Sequence, residues 1–290
     1  MTTVGLLHPA HGAEDDYPRL EVLLDSDIRL PIVHTDAPGP GGDAEAALGP
    51  AGRLTEQVAE LRLAGAESVV WASAEESFGH GWEGAHRQIR ALARAAGLPA
   101  SSTAFGFVHA VRKLGTRPVA VGTAGPSARA ALFAEFLAAG GVEVVATHAG
   151  AARAGDAPGA LTGGAPAAEP VESWDRAAVL ELARAADRPE AAAVLLPDTG
   201  LHTVAHLADL EKLLGKPVLT AHQVTVWEGL RLAERRAWAF DLGTLFAKPG
   251  EDGTPGAAGT GTADDTRRNP ADPGPRARAH TRPRPPHGPE

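Results

Sequence analysis

Short apolar runs alternate along the chain with longer stretches in which hydrophobic positions recur at helical spacing. Runs at 4–8, 30–34, 68–72, 118–122, 142–147, 192–196 and 217–220, with a weaker one at 100–103, are rich in Val, Leu and Ile and predict strands. In the first intervening stretch Leu54, Val58 and Leu61 stand at i, i+4 and i+7, which predicts a helix over 54–64. A second helix is predicted over 127–139, opened by Pro126-Ser127 and closed by Gly140-Gly141. Further helices are predicted over 84–96, 104–114, 174–186, 203–214 and 222–234. Strands that alternate with helices imply βαβ units and parallel sheets, an α/β fold.

The pattern occurs twice. Val69-Val70-Trp71-Ala72-Ser73 precedes a helix, then Gly97-Leu98-Pro99 and a strand–helix pair. Val194-Leu195-Leu196-Pro197-Asp198 precedes a helix, then Gly215-Lys216-Pro217 and another strand–helix pair. The match superposes Ser73 on Asp198 and Pro99 on Pro217. Its period of roughly 115–125 residues is too long for a solenoid and fits a duplicated α/β domain. Two pseudo-symmetric Rossmann-like halves are therefore expected, over 1–116 and 117–248, each a parallel sheet flanked by helices. Ligands of parallel sheets sit beyond the carboxyl ends of strands, so 73–77 and 198–202 are expected to wall one site in the cleft between the halves.

Composition narrows the chemistry. The 290 residues include no cysteine, one methionine and one tyrosine, and the formal net charge is −9. Without cysteine there is no disulfide, no cysteine-ligated metal and no thiol nucleophile. The acidic balance argues against a nucleic-acid-binding body. No apolar run approaches the roughly 20 residues of a membrane span, and the N-terminus has no basic region before its short apolar stretch. A cytoplasmic protein is expected, with no nucleic-acid or membrane partner; a homo-oligomer is compatible with the sequence. After Phe246 no large apolar side chain occurs, and residues 249–290 hold 9 Pro and 7 Gly, with six acids offsetting six arginines. Such a segment cannot bury enough apolar area to offset its ordering entropy, so a disordered tail is expected. Its arginine pairs are also suited to an anionic partner. The Gly- and Ala-rich stretch 149–172 is expected to be a functional or mobile loop.

The motifs carry a resemblance. Asp198-Thr199-Gly200-Leu201-His202-Thr203, Leu214-Gly215-Lys216-Pro217-Val218, His222-Gln223-Val224-Thr225-Val226-Trp227 and Leu230-Arg231-Leu232 resemble the maleate cis–trans isomerase and arylmalonate decarboxylase group of the aspartate/glutamate racemase superfamily. There the pattern is Cys-Thr-Gly-Leu-Arg-Thr, Leu-Gly-Lys-Pro-Val, Asn-Gln-x-x-x-Trp and Leu-Arg-Leu. Trp71-Ala72-Ser73-Ala74-Glu75-Glu76-Ser77-Phe78 with Gly81-Trp82, and Gly5-Leu6-Leu7-His8-Pro9, extend the likeness over about residues 4–234. The resemblance implies cofactor-independent isomerase or decarboxylase chemistry on a small carboxylate, through an enediolate-type intermediate. Both family cysteines are replaced here, by Ser73 and Asp198. The Tyr of the family's carboxylate clamp is Gly125, after Thr123. The Asn beyond the first strand's Pro9 is His11 or Gly12. Cysteine-dependent maleate isomerisation is thus excluded.

Asp198 is the leading candidate for proton transfer, because burial at a strand end would raise its pKa; the alternative is that it caps the following helix. Thr199, Gly200 and Ser77 are candidate hydrogen-bond donors to a carboxylate, and a helix starting near Leu201 would add its positive end. Glu75 and Glu76 either face solvent or repel a dicarboxylate; if Glu75 faces the cleft it is a candidate base. Ser73 suits a hydrogen-bond donor better than a nucleophile. His11 and His222 stand where the family places polar substrate contacts, alongside Pro9, Thr123 and Gly125. His202 and His206 are spaced i, i+4 on the expected helix, but no metal site and no cofactor are expected, for want of an HExxH-type motif. A catalytically inactive, carboxylate-binding relative is the rival to an enzyme.

Overall fold

The computed structural model describes residues 1–9, 12–35, 44–150 and 174–248. In the first half β1 (Thr2–His8), β2 (Ile28–Arg29), β3 (Ile32–His34), β4 (Ser68–Trp71) and β5 (Ala100–Ser102) form a parallel sheet in the order β2-β1-β4-β5, with β3 also pairing β1. Its helices are α1 (Asp16–Leu23), α2 (Ala51–Leu63), α3 (Glu75–Phe78), α4 (Gly81–Ala96) and α5 (Thr103–Leu114). In the second half β6 (Val119–Thr123), β7 (Val144–Ala149), β8 (Ala193–Leu196) and β9 (Val218–Thr220) form a parallel sheet in the order β7-β6-β8-β9. Its helices are α6 (Ser127–Ala139), α7 (Arg176–Ala186), α8 (Leu207–Leu214) and α9 (Ala221–Leu232).

The internal repeat extends to strand order. β1, β3, β4 and β5 correspond to β6, β7, β8 and β9, and Ser73 and Asp198 each lie two residues beyond a central strand, after Trp71 and Leu196. The central strands β4 and β8 are buried throughout because helices cover both faces of each sheet. The predicted strand over 30–34 is shortened to β3 at Ile32–His34, and the unpredicted β2 at Ile28–Arg29 lies ahead of it; Pro31, with no N–H for the ladder, falls between them. The predicted helix over 203–214 begins only at Leu207, after a 3₁₀ turn at Val204–His206. His202 therefore precedes any helix and does not share a helical face with His206. Two short helices, α1 and α3, escape the periodicity because one turn or two offers too few apolar positions to show it.

The halves meet along α5 and α9. A Cβ on Gly106 would stand 2.8 Å from Val224 Cγ1, so glycine sets how closely these helices approach. Thr103 and Thr225 join hydroxyls across the seam at 2.6 Å. α9 also lies on the first sheet, where Ser68 Oγ donates to the Gly229 carbonyl at 2.8 Å. One apolar core consequently runs through both halves, from Val4, Leu6 and Val70 to Val121, Leu195 and Leu219. Among the described residues no helix is long and apolar enough to cross a membrane.

Candidate active site

A cleft of about 140 Å³ opens at the carboxyl ends of the central strands. Glu75 and Phe78 line it from the first half, and Arg129 and the run Pro197-Asp198-Thr199-Gly200 from the second. Asp198 is 9% exposed, and its Oδ2 accepts the Ala124 N–H at 3.0 Å. Its Oδ1 lies 4.0 Å from Arg129 Nη1. Burial pushes the Asp198 carboxyl up to about 6; the Ala124 N–H and Arg129 oppose the rise and Glu75 adds to it.

Arg129 stands in the first turn of α6. Its Nε is 2.8 Å from Glu75 Oε1. A Cβ on Gly125 would come within 2.6 Å of Arg129 Nη1, so the missing side chain at 125 makes the room that the guanidinium fills. Burial raises the Glu75 pKa against the pull of Arg129. Burial and the neighbouring Glu75 together push Glu76 to about 7. Two carboxyls thus share one cation. Burial, the largest cause, keeps both above the ordinary carboxylate range although the guanidinium pulls them down.

The other expected site residues divide between the cleft and the interior. Thr199 and Gly200 line the cleft, and Gly125 lies against Arg129. Ser73 is 5% exposed and its Oγ accepts the Glu76 N–H at 3.3 Å, a local cap on α3. Ser77 is fully buried and donates to Gln88 Oε1 at 2.8 Å, toward α4. Thr123 is buried and donates to the Gly125 carbonyl at 3.3 Å. Pro9 is buried just beyond β1, and His11 lies outside the described residues. His222 is fully buried, with its ring centroid 4.8 Å from that of Tyr17 and its Nδ1 3.8 Å from Asp16 Oδ2. Burial lowers its pKa to about 4, so the imidazole is neutral.

Asp198 does not cap the helix that follows it. That place is taken by Asp16, 2% exposed, whose Oδ2 accepts the N–H groups of Thr203 at 2.8 Å and Val204 at 3.0 Å. The positive end expected near Leu201 is therefore already neutralised from within the chain, and the carboxylate of Asp198 is left to the cleft. Arg129 is the residue that sequence reasoning missed. Only part of the signal stood in the sequence, a cation in the first turn of a helix just after a glycine where the related pattern has a large side chain; the two acids it meets come from other elements.

Paired parallel sheets with strand-end loops converging on one cleft, and an acid at the end of the second half's central strand or in the helix after the first half's, define a two-half α/β protein with its candidate site between the halves. The family model for arylmalonate decarboxylase matches residues 50–246, and the chain belongs to that family. Solved structures agree on the fold. A crystal structure of arylmalonate decarboxylase is 24% identical, covering 84% of this chain and 98% of that one, with a TM-score of 0.64. The maleate isomerase Iso from Pseudomonas putida S16 is 17% identical over 85% and 98%, with a TM-score of 0.67. A variant of the Nocardia farcinica maleate cis–trans isomerase, carrying a covalently bound succinylcysteine intermediate, is 19% identical over 84% and 98%, also at 0.67. No curated protein matches the chain.

Proposed function

We propose that this chain is a cofactor-independent, decarboxylase-type enzyme that holds a small carboxylate against Arg129 and transfers a proton through Asp198. The observation that supports it best is the placement of a buried carboxyl, titrating at about 6, beside the Arg129 guanidinium, the one that lines the cleft among the described residues. A substrate carboxylate would take the place of Glu75 on Arg129. Cleavage of the bond to a second carboxyl would release carbon dioxide and leave its electron pair as an enediolate. The Asp198 carboxylic acid would then give its proton to the α-carbon and recover one from solvent. A succinylcysteine cannot form in a chain with no cysteine, so the isomerase route of the cysteine-bearing relatives is closed. A cavity of about 200 Å³ that shares Phe78 with the cleft, lined by Trp82, Leu132 and Phe136 with Glu135 among them, supports a substrate with an apolar substituent.

Thermal shift with a panel of malonates and maleate tests the binding step. A matched carboxylate at a hundred times its Kd stabilises the folded chain by about 2.7 kcal/mol. That stabilisation is expected with the wild type and lost in Arg129→Gln. Shifts of equal size in both proteins would contradict the reading. Binding without turnover would favour the inactive, carboxylate-binding relative.

A further inference from the structure

A second group of chemically capable side chains, none of which lines the Asp198 cleft, meets at the carboxyl ends of β1 and β3. β1 and β3 run parallel with His8 in register with His34 at their carboxyl ends. The two imidazoles sit side by side, their centroids 6.0 Å apart. Glu14, in the turn between β1 and α1, reaches the same point, and its Oε2 is in direct contact with His34 Nε2. One ring nitrogen from each histidine and one Glu14 oxygen all lie within 4.8 Å of one another. His8 is 2% exposed, whereas the His34 and Glu14 side chains are 39% and 37% exposed. The group is anchored at one end in the sheet and opens to solvent at the other.

We propose that His8, Glu14 and His34 bind a divalent metal ion of the zinc class. Two imidazoles and a carboxylate are a donor set of zinc chemistry, with bonds of about 2.0–2.2 Å and a fourth position for water or substrate. Tetrahedral bonds of that length place ligand atoms about 3.4 Å apart, and rotation of the two partly exposed side chains covers the difference from the present spacing. Two of the three ligands come from neighbouring paired strands, so the sheet holds them in position without the ion. A His34–Glu14 ion pair would account for two members; the imidazole of the adjacent strand, in register and buried, completes the set. Residues 8, 14 and 34 belong to three separate segments, so no local spacing motif announces the site. The proposal stands independently of the function proposed for the cleft.

The test uses the full-length protein, stripped with chelator and titrated with cobalt(II) while its visible absorption is followed. One equivalent should bind saturably, with the strong visible bands of four-coordinate cobalt, and one equivalent of zinc should displace it. His34→Gln and Glu14→Gln, both at partly exposed positions, should keep the wild-type circular dichroism and weaken binding at least 10–100-fold, the loss that even an outer partner of a metal site causes. His206→Gln should bind like wild type. A titration with no saturable site, or a site that survives both His34→Gln and Glu14→Gln, would overturn the proposal.

Discussion

Asp198 lowers the stability of the folded chain by an amount that depends on pH. Its carboxyl titrates at about 6 when folded against an ordinary 3.8, chiefly because it is buried. The folded chain therefore binds this proton more tightly than the unfolded chain does. Below about pH 4 both states are protonated and there is no penalty. Between about 4 and 6 the unfolded chain ionises first and stability falls; above that range the penalty is complete, about 3 kcal/mol for a rise of this size. Asp198→Asn ends the titration and keeps an oxygen for the Ala124 N–H. Denaturant unfolding should find the variant about 2–3 kcal/mol more stable than wild type near pH 8 and equal to it near pH 4; a difference that does not change with pH would contradict the burial argument. Gly125→Ala works through a neighbour. Its Cβ would press on the far end of Arg129, which can swing away. Stability should change by less than about 1 kcal/mol, while the thermal shift given by a carboxylate should shrink.

At the scale of elements, the α5–α9 seam carries one buried charge. Glu228 is fully buried, accepts from Arg231 at 2.7 Å and pairs with His109 Nδ1 at 2.9 Å. Burial pushes its carboxyl up, but the hydrogen bonds from Arg231 and His109 outweigh burial and hold it below the usual range. Its stabilising contribution is thus present above the ordinary carboxylate pKa and is lost as pH falls through the lowered one. Glu228→Gln should cost about 1–3 kcal/mol near pH 7, the worth of hydrogen bonds to a charged group, with the gap from wild type closing as the solution is made acidic; chemical denaturation at two pH values measures it. The same seam shows what the sequence makes legible. The strands and the longer helices follow from apolar spacing, because burial on one helical face or on both sheet faces imposes that spacing. The late start of α8 does not, since it depends on Asp16 reaching across 187 residues to Thr203. That Asp198, Glu75, Thr199 and Gly200 line one cleft was legible from the repeat and the family motifs. Arg129 was not, because its role depends on the absence of a side chain at 125 and on two acids from other elements. The hydroxyls of Ser77 and Thr123, read from the sequence as substrate donors, donate to Gln88 and to the Gly125 carbonyl in this structure, partners that no local spacing announces.

Over the whole molecule, duplication supplies two equivalent strand ends, yet the halves treat them differently. Ser73 caps its own half's helix, whereas Asp198 bonds to the Ala124 amide at the end of another strand and faces Arg129. Under the proposed reading the cleft has one proton donor rather than a facing pair, and a single protonation is what decarboxylation through an enediolate requires. The cleft exists only because both halves fold together, with the continuous core and the α5–α9 seam holding Glu75 of one half against Arg129 of the other. The most direct test incubates wild type and Asp198→Asn with an aryl-substituted malonate in heavy water and follows, by NMR, deuterium at the α-carbon of the monocarboxylate product. Wild type should form the monodeuterated product, and the variant should do so about 10²–10⁴-fold more slowly. Product formation at the same rate in both proteins would contradict proton transfer by Asp198.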